Sequence, residues 1–171
     1  MANISTAHGE YTFNFANVKA SNEEKVAWVK ELAKLTGDGY YETYFDDAES
    51  LTVNNIENDE VIFLPFSGLG RWTYRNNIQW FESGWEELKE LVLKMDGIKI
   101  DINYKEYEPG CMFVSEGSYM VEVKDGKVLI TECSLESDDL NEETFVDWDF
   151  GTVEYYRKMF GCNYSEEEQG A

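Results

Sequence analysis

The stretch Glu10-Tyr11-Thr12-Phe13-Asn14-Phe15-Ala16-Asn17, followed by Ser21-Asn22-Glu23-Glu24-Lys25-Val26, decides the fold. Tyr11, Phe13 and Phe15 alternate with polar residues, and a period of two puts all three on one face of a half-buried strand. Ser21 with Glu24 three residues later forms a capping box, in which two orphan backbone amides are satisfied reciprocally. Val26, Val29, Leu32, Ala33 and Leu35 then recur at helical spacing, and Gly37 closes the helix. A strand that hands over to an amphipathic helix requires the helix to lie back on a sheet.

Working outward, residues 40–45 are aromatic and strand-like, 46–50 form a turn, and 51–56 read as another short strand. Residues 61–64 are a compact apolar run ended by Pro65, Gly68 and Gly70, and 71–81 read as extended and aromatic. Ser83-Gly84-Trp85-Glu86 is a second capping box. It opens a helix whose buried stripe is Trp85, Leu88, Leu91, Val92 and Met95, with Gly97 as its stop. Ile98, Ile100, Ile102 and Tyr104 alternate as a strand, and residues 119–123 and 127–133 form a hairpin around Asp125-Gly126, a type I′ signal. Residues 134–141 read as an acidic connector. Phe145, Trp148, Val153, Tyr156 and Phe160 predict one or two helices with a break at Gly151, and residues 165–171 a frayed tail.

The order β-α-β-β-α-β predicts an α+β fold: a ferredoxin-like antiparallel sheet with two helices, extended by a C-terminal hairpin and helix. Residues 1–133 form the ferredoxin-like domain. Residues 134–171 supply the acidic connector, C-terminal helix and tail, packed on the same domain.

The middle of the chain carries Gly70-Arg71-Trp72, then Trp80-Phe81-Glu82-Ser83-Gly84-Trp85, and later Tyr107-Glu108-Pro109-Gly110-Cys111-Met112-Phe113. Over residues 60–130 this succession resembles the Api92-like, or YubB-like, ferredoxin-like family of phages and other mobile elements. Glu86-Glu87 stand where that family has paired prolines. The resemblance implies a fold and a mobile-element setting; it brings no catalytic residues.

Catalytic motifs are scarce. His8 is the sole histidine and lies near an end expected to be flexible, so a triad or an imidazole metal site would rest on it alone. Ser67 in Phe66-Ser67-Gly68 is not a nucleophile elbow, and Thr73 stands where a dinucleotide loop needs its third glycine. Asp147-Trp148-Asp149 is a D-x-D at a spacing common in acidic connectors, and residues 46–49 lack the glycine of a calcium loop. No catalytic residue, metal ligand or cofactor is predicted. No apolar run reaches the roughly 18 residues a membrane span needs, and the first residues lack a secretory pattern. Cys111, Cys133 and Cys162 are odd in number and without a CxxC, as expected of free thiols in the host cell cytoplasm.

The strongest signal is charge. Against 14 basic residues stand 35 acidic ones, for a net charge of −21 in 171 residues. Such a field repels nucleic acid and anionic membranes and attracts basic partners. It is uneven: residues 1–36 are balanced, whereas two bands hold no base. The first band is Asp38, Glu42, Asp46, Asp47, Glu49, Glu57, Asp59 and Glu60. The second is Glu132, Glu136, Asp138, Asp139, Glu142, Glu143, Asp147 and Asp149. Carboxylates two apart on a strand, or three to four apart on a helix, lie about 5–7 Å from each other, near the spacing of phosphates along a nucleic-acid strand.

The expected function is therefore a non-enzymatic, mobile-element-encoded inhibitor of the anti-CRISPR or DNA-mimic kind. It would bind a basic nucleic-acid-binding defence protein, a nuclease or CRISPR effector, and block its DNA or RNA site. The predicted contact residues are Asp46, Asp47, Glu49, Glu57, Asp59 and Glu60 from one band and Asp138, Asp139, Glu142, Glu143, Asp147 and Asp149 from the other. Tyr44, Phe45, Trp148 and Tyr155 are candidate aromatic anchors. The alternatives are a non-catalytic protein-binding or self-associating module and a carboxylate- or metal-dependent enzyme.

Overall fold

Burial in the computed structural model follows the alternation of the opening stretch: Tyr11, Phe13 and Phe15 are buried, whereas Thr12 and Asn14 are half-buried. The structure describes residues 4–58 and 60–161. Strand β1 (Ile4–Asn14) begins well before Glu10, because Ser5 and Ala7 continue the buried face. Helix α1 (Asn22–Gly37) opens on its capping box, with Ser21 Oγ accepting from Glu24 N at 3.2 Å and Glu24 Oε2 accepting from Ser21 N at 2.7 Å.

The chain continues through β2 (Tyr41–Phe45), β3 (Val61–Arg71), α2 (Tyr74–Gln79), α3 (Glu86–Leu93), β4 (Lys99–Glu108), β5 (Phe113–Lys124), β6 (Lys127–Asp139), α4 (Glu142–Asp147) and α5 (Val153–Phe160). The described residues thus form an α+β structure with five α-helices and one six-stranded antiparallel sheet, in the order β2-β3-β1-β4-β5-β6. β3 separates β1 from β2, and β1 separates β3 from β4. The connection through α1 and the connection through α2 and α3 each step over one strand.

The faces of the sheet differ. On one, α1 and α3 cover Tyr11, Phe13, Ile62, Leu64, Ile100, Ile102 and Val121, and Trp28 Nε1 donates to Leu91 O at 2.9 Å, tying the two helices together. On the other, α4 and α5 cover a smaller cluster of Tyr107, Val114, Leu140 and Phe145, with Phe150, Tyr156 and Phe160 against it. The β5–β6 turn is the expected mirror turn: Asp125 (φ 53°) and Gly126 (φ 72°) are both left-handed, which matches the twist of the flanking strands.

Several local expectations are corrected. Residues 51–56 form no strand; Val53–Asn55 is a 3-10 turn closed by a Thr52–Asn55 capping box. Pro65 does not end the apolar run. Its carbonyl accepts from Asp46 N at 2.9 Å, so its missing N–H faces the side where β2 has already ended, and pairing with β1 continues unbroken. Residues 71–81 contain helix α2: Tyr74, Asn77 and Ile78 are its buried side, a helical spacing too short to be read against the aromatic run. The second capping box is absent, since α3 begins at Glu86 with Trp85 as an N-cap that makes no side-chain bond. Residues 134–139 are not a connector but the second half of β6, paired with Phe113 to Ser118 of β5 beyond a bulge at Ser118 and Tyr119. Residues 165–171 lie outside the described residues.

Candidate functional site

Register fixes where the acids stand. Asn14 pairs with both Val61 and Lys99, and Lys99 with Glu122, so the β2–β3 loop and the β5–β6 turn share one end of the sheet. Ile4 pairs with Arg71, Thr6 with Tyr107, Glu108 with Phe113 and Phe113 with Asp139, which puts the end of β6 at the other. β2 and β6 are also the two edge strands. The acids of the β2–β3 loop and those where β6 meets α4 therefore lie toward diagonally opposite corners, roughly 40 Å apart for six strands at 4.8 Å and ten residues at 3.3 Å, whereas Glu42 of the first band stands level with Asp138, through Leu69, Thr6, Tyr107 and Val114.

At the first corner Asp46, Asp47, Glu49, Glu57 and Glu60 are all exposed; Asp59 lies outside the described residues. The loop that carries them is pinned. Ala48, Leu51 and Ile56 are buried in the large core, Glu57 N donates to Val61 O at 2.8 Å, and Phe15 N donates to Glu60 O at 2.7 Å. The ion pairs among the described residues are Arg75–Glu132, Lys99–Glu122 and Arg157–Glu142, and none includes an acid of this corner. Tyr44 is exposed beside it and donates to Glu42 at 2.8 Å, while Phe45 is half-buried against the core.

At the second corner Asp138 and Asp139 end β6, and Glu142 and Glu143 begin α4. Asp147 ends that helix and Asp149 follows it in a left-handed conformation (φ 63°). Their charge is partly answered. Arg157 clamps Glu142 through two bonds of 3.0 and 2.6 Å, holding its carboxyl below the ordinary range, and Asp138 Oδ1 accepts from Asp139 N at 2.7 Å. Asp149 lies near His8, whose ring meets Phe150 edge-on at 5.4 Å. His8 is thus no flexible-end residue: it sits in mid-sheet, paired with Ser67 and Lys105, and burial, then the Lys105 charge, lowers its pKa against the opposing pull of Asp149. Trp148 packs against the second cluster, and Tyr155 is exposed. Cys111 and Cys133 are both exposed, and Cys162 lies outside the described residues.

Beneath Asp138 and Asp139 opens a cleft of about 780 Å³, walled by Arg75 of α2, Tyr104 and Glu106 of β4, and Ser115 of β5. Glu106 is fully buried; its two oxygens accept from Tyr74 N at 2.7 Å and from Ser115 Oγ at 2.9 Å. Burial outweighs these bonds and raises its pKa. Glu106 thereby anchors the first amide of α2. Neighbouring Glu108 is 2% exposed, and neither its Oε1 nor Tyr104 Oη meets a hydrogen-bond partner among the described residues. Tyr104 stacks on Tyr119 with ring centroids 6.2 Å apart. Gly117 leaves room for the Tyr104 ring, because a Cβ there would lie 2.6 Å from it. Among the described residues no group of three or more His, Cys, Asp or Glu side chains converges as a metal site, and no helix is long and apolar enough to cross a membrane.

Comparison with protein-family models, curated proteins and solved structures returns no match.

The buried carboxylates escaped the reading of the sequence, although a signal was present. The alternation of Ile98, Ile100, Ile102 and Tyr104 continues by parity onto Glu106 and Glu108 and puts both on the helix-covered face. The Arg75 wall had no such signal, because α2 itself was unread.

Proposed function

We propose that the chain is a mobile-element-encoded acidic inhibitor that docks on a basic nucleic-acid-binding defence protein, a nuclease or CRISPR effector, and occupies its DNA or RNA site by charge mimicry. The observation that carries this reading is the first corner: Asp46, Asp47, Glu49, Glu57 and Glu60 are exposed on a loop pinned to the core and enter no ion pair among the described residues. Five carboxylates held in place without an ion pair among the described residues, with Lys30 and Lys34 near only the Glu49 side, favour a partner that supplies further cations, because a positioned field both steers encounter and selects its partner. The second corner, with Glu142 already clamped by Arg157, contributes less. A partner engaging both corners must offer a basic groove on the order of 40 Å long.

The strand order supports a ferredoxin-like reading of β1 to β4, with β5 and β6 added beyond β4, and that is also the fold implied by the Api92-like resemblance. Strand order and resemblance together support this reading of the fold, and the mobile-element setting is proposed on the resemblance.

The test is capture of nucleases from a bacterial host lysate at low and high salt, followed by cleavage assays on what is recovered. Two quartets are changed to amides, Asp46, Asp47, Glu49 and Glu57 in one and Asp138, Asp139, Glu142 and Glu143 in the other. The first quartet is expected to release the partner and restore cleavage, the second to weaken inhibition by less. Binding that ignores salt, or that survives both quartets, ends the charge-mimic reading.

A further inference from the structure

A third corner bears on a different ligand. It lies where the turn after α1 meets the start of α3, apart from both acidic corners. Tyr40 is 69% exposed and stands edge-on to Trp80, with ring centroids 5.9 Å apart and planes at 88°. Trp80 in turn stands at 82° to Trp85, 6.1 Å away. The three rings wall a hollow of about 650 Å³, with Asp38 and Glu87 at its rim and no lysine or arginine lining it. The backbone is shaped to keep the rings there. A Cβ on Gly39 would come within 2.7 Å of the Trp85 ring, and one on Gly84 within 3.2 Å of Trp80.

Trp80 and Trp85 each pack one side against the large core and leave the other toward the hollow. Trp28 shows how the fold buries an indole, with its ring in the core and its N–H bonded to Leu91 O. Trp80 and Trp85 instead remain half-exposed around a space, beside a tyrosine that is mostly in water. Aromatic faces carry negative potential, and the three rings border one hollow, so a cation seated there can lie within about 6 Å of a ring centroid. The rim carboxylates add to that potential, while Lys34 and Lys94 stand with them only around the adjoining hollow. A primary ammonium or guanidinium keeps its water in so open a site, whereas an alkylated ammonium is weakly hydrated and its methyl groups fit ring faces.

We propose that Tyr40, Trp80 and Trp85, with Asp38 and Glu87, form an aromatic cage for a quaternary or fully methylated ammonium group. The group comes either from a small choline-like molecule or from a trimethyllysine side chain, which present the same chemistry to the cage.

The experiment titrates the full chain with choline, with a trimethyllysine peptide, with the same peptide carrying unmodified lysine, and with 3,3-dimethylbutanol, the neutral isostere of choline. The readout is the indole N–H resonances. Choline is expected to shift the Trp80 and Trp85 signals saturably while the buried Trp28 signal stays still. Tyr40→Ala, at a position exposed enough to leave the fold intact, weakens binding by about tenfold, and Tyr40→Phe retains most of it. The lysine peptide and the neutral isostere bind at least about tenfold more weakly than their methylated or charged counterparts. A trimethyllysine peptide that outbinds choline identifies a methylated protein as the source, and equal affinity identifies the free head group. Binding of 3,3-dimethylbutanol as tight as that of choline, or no shift at Trp80 and Trp85 with any cation, overturns the cage.

Discussion

The two acidic corners look alike in composition and differ in construction. The β2–β3 corner is a loop whose Ala48, Leu51 and Ile56 are part of the large core beneath α1 and α3. The β6–α4 corner rests on a cluster whose buried members are Tyr107, Val114, Leu140 and Phe145, on the opposite face of the sheet. At the first corner unpaired charge is held by a strong foundation; at the second, partly paired charge is held by a weak one. A run of acids thus acquires a mechanical meaning only from what lies under it: a rigid array can match a partner's cations at no ordering cost, whereas a loosely seated one loses conformational freedom when it binds.

Removing one large side chain from each foundation separates them most clearly. Phe145→Ala deletes a fully buried ring in contact with Tyr107, Phe150, Tyr156 and Phe160, at a cost of about 3–5 kcal/mol. Because the cluster is small, the loss is expected to fall on residues 140–160. Hydrogen exchange should show those amides opening while β1, β3 and β4 keep their protection. Leu51→Ala, at about 2–5 kcal/mol, is expected instead to lower the stability of the whole sheet in one transition. If Phe145→Ala unfolds everything together, the two foundations are not separate.

A smaller effect concerns pH. Glu106 lies on the helix-covered face near the second corner, and its pKa is raised above the ordinary 4.5, chiefly by burial. A raised value means that the folded state prefers the protonated form. The stability this group contributes is full below about pH 4.5 and is lost as pH rises through its higher folded value. Glu106→Gln keeps an acceptor for Tyr74 N and cannot ionise. Its stability relative to the parent chain is expected to rise between about pH 4.5 and neutrality in denaturant titrations, while the subtraction cancels the repulsion common to both chains. A constant difference across that range would show that Glu106 is not the group being titrated.

The smallest effect is at the surface of the second corner. Arg157→Ala frees Glu142, whose carboxyl is expected to return upward to the ordinary range in an NMR titration with little change in melting temperature. It also makes the second corner resemble the first in unpaired charge. Inhibition that then rises toward that of the first corner would show that pairing separates the two; unchanged inhibition leaves the foundation as the difference.

Legibility in the sequence followed the length and regularity of each signal. Tyr11 to Phe15, the Ser21 capping box, the alternation from Ile98 to Tyr104 and the Asp125-Gly126 turn are local features with one dominant solution, and each appears in the structure. The misreadings cluster where a local rule was overruled by a neighbour. Pro65 sits inside β3 because β2 stops beside it, Tyr74 starts a helix because Glu106 takes its amide, and Ser134 to Asp139 pair as strand because β5 offers an edge. Both cleft and cage escaped for the same reason: their walls come from elements far apart in the chain.

The large negative charge, its concentration in two base-free bands, the first strand and helix and the poverty of catalytic motifs were all determined by the sequence itself, since composition and short-range periodicity are properties of the chain alone. The diagonal placement of the two acidic corners, the unequal cores beneath them, the burial of Glu106 and Glu108 and the meeting of Tyr40, Trp80 and Trp85 were decided by the tertiary structure. Each depends on which strand lies beside which, and a sheet order that steps over its neighbours brings together residues that no local pattern relates.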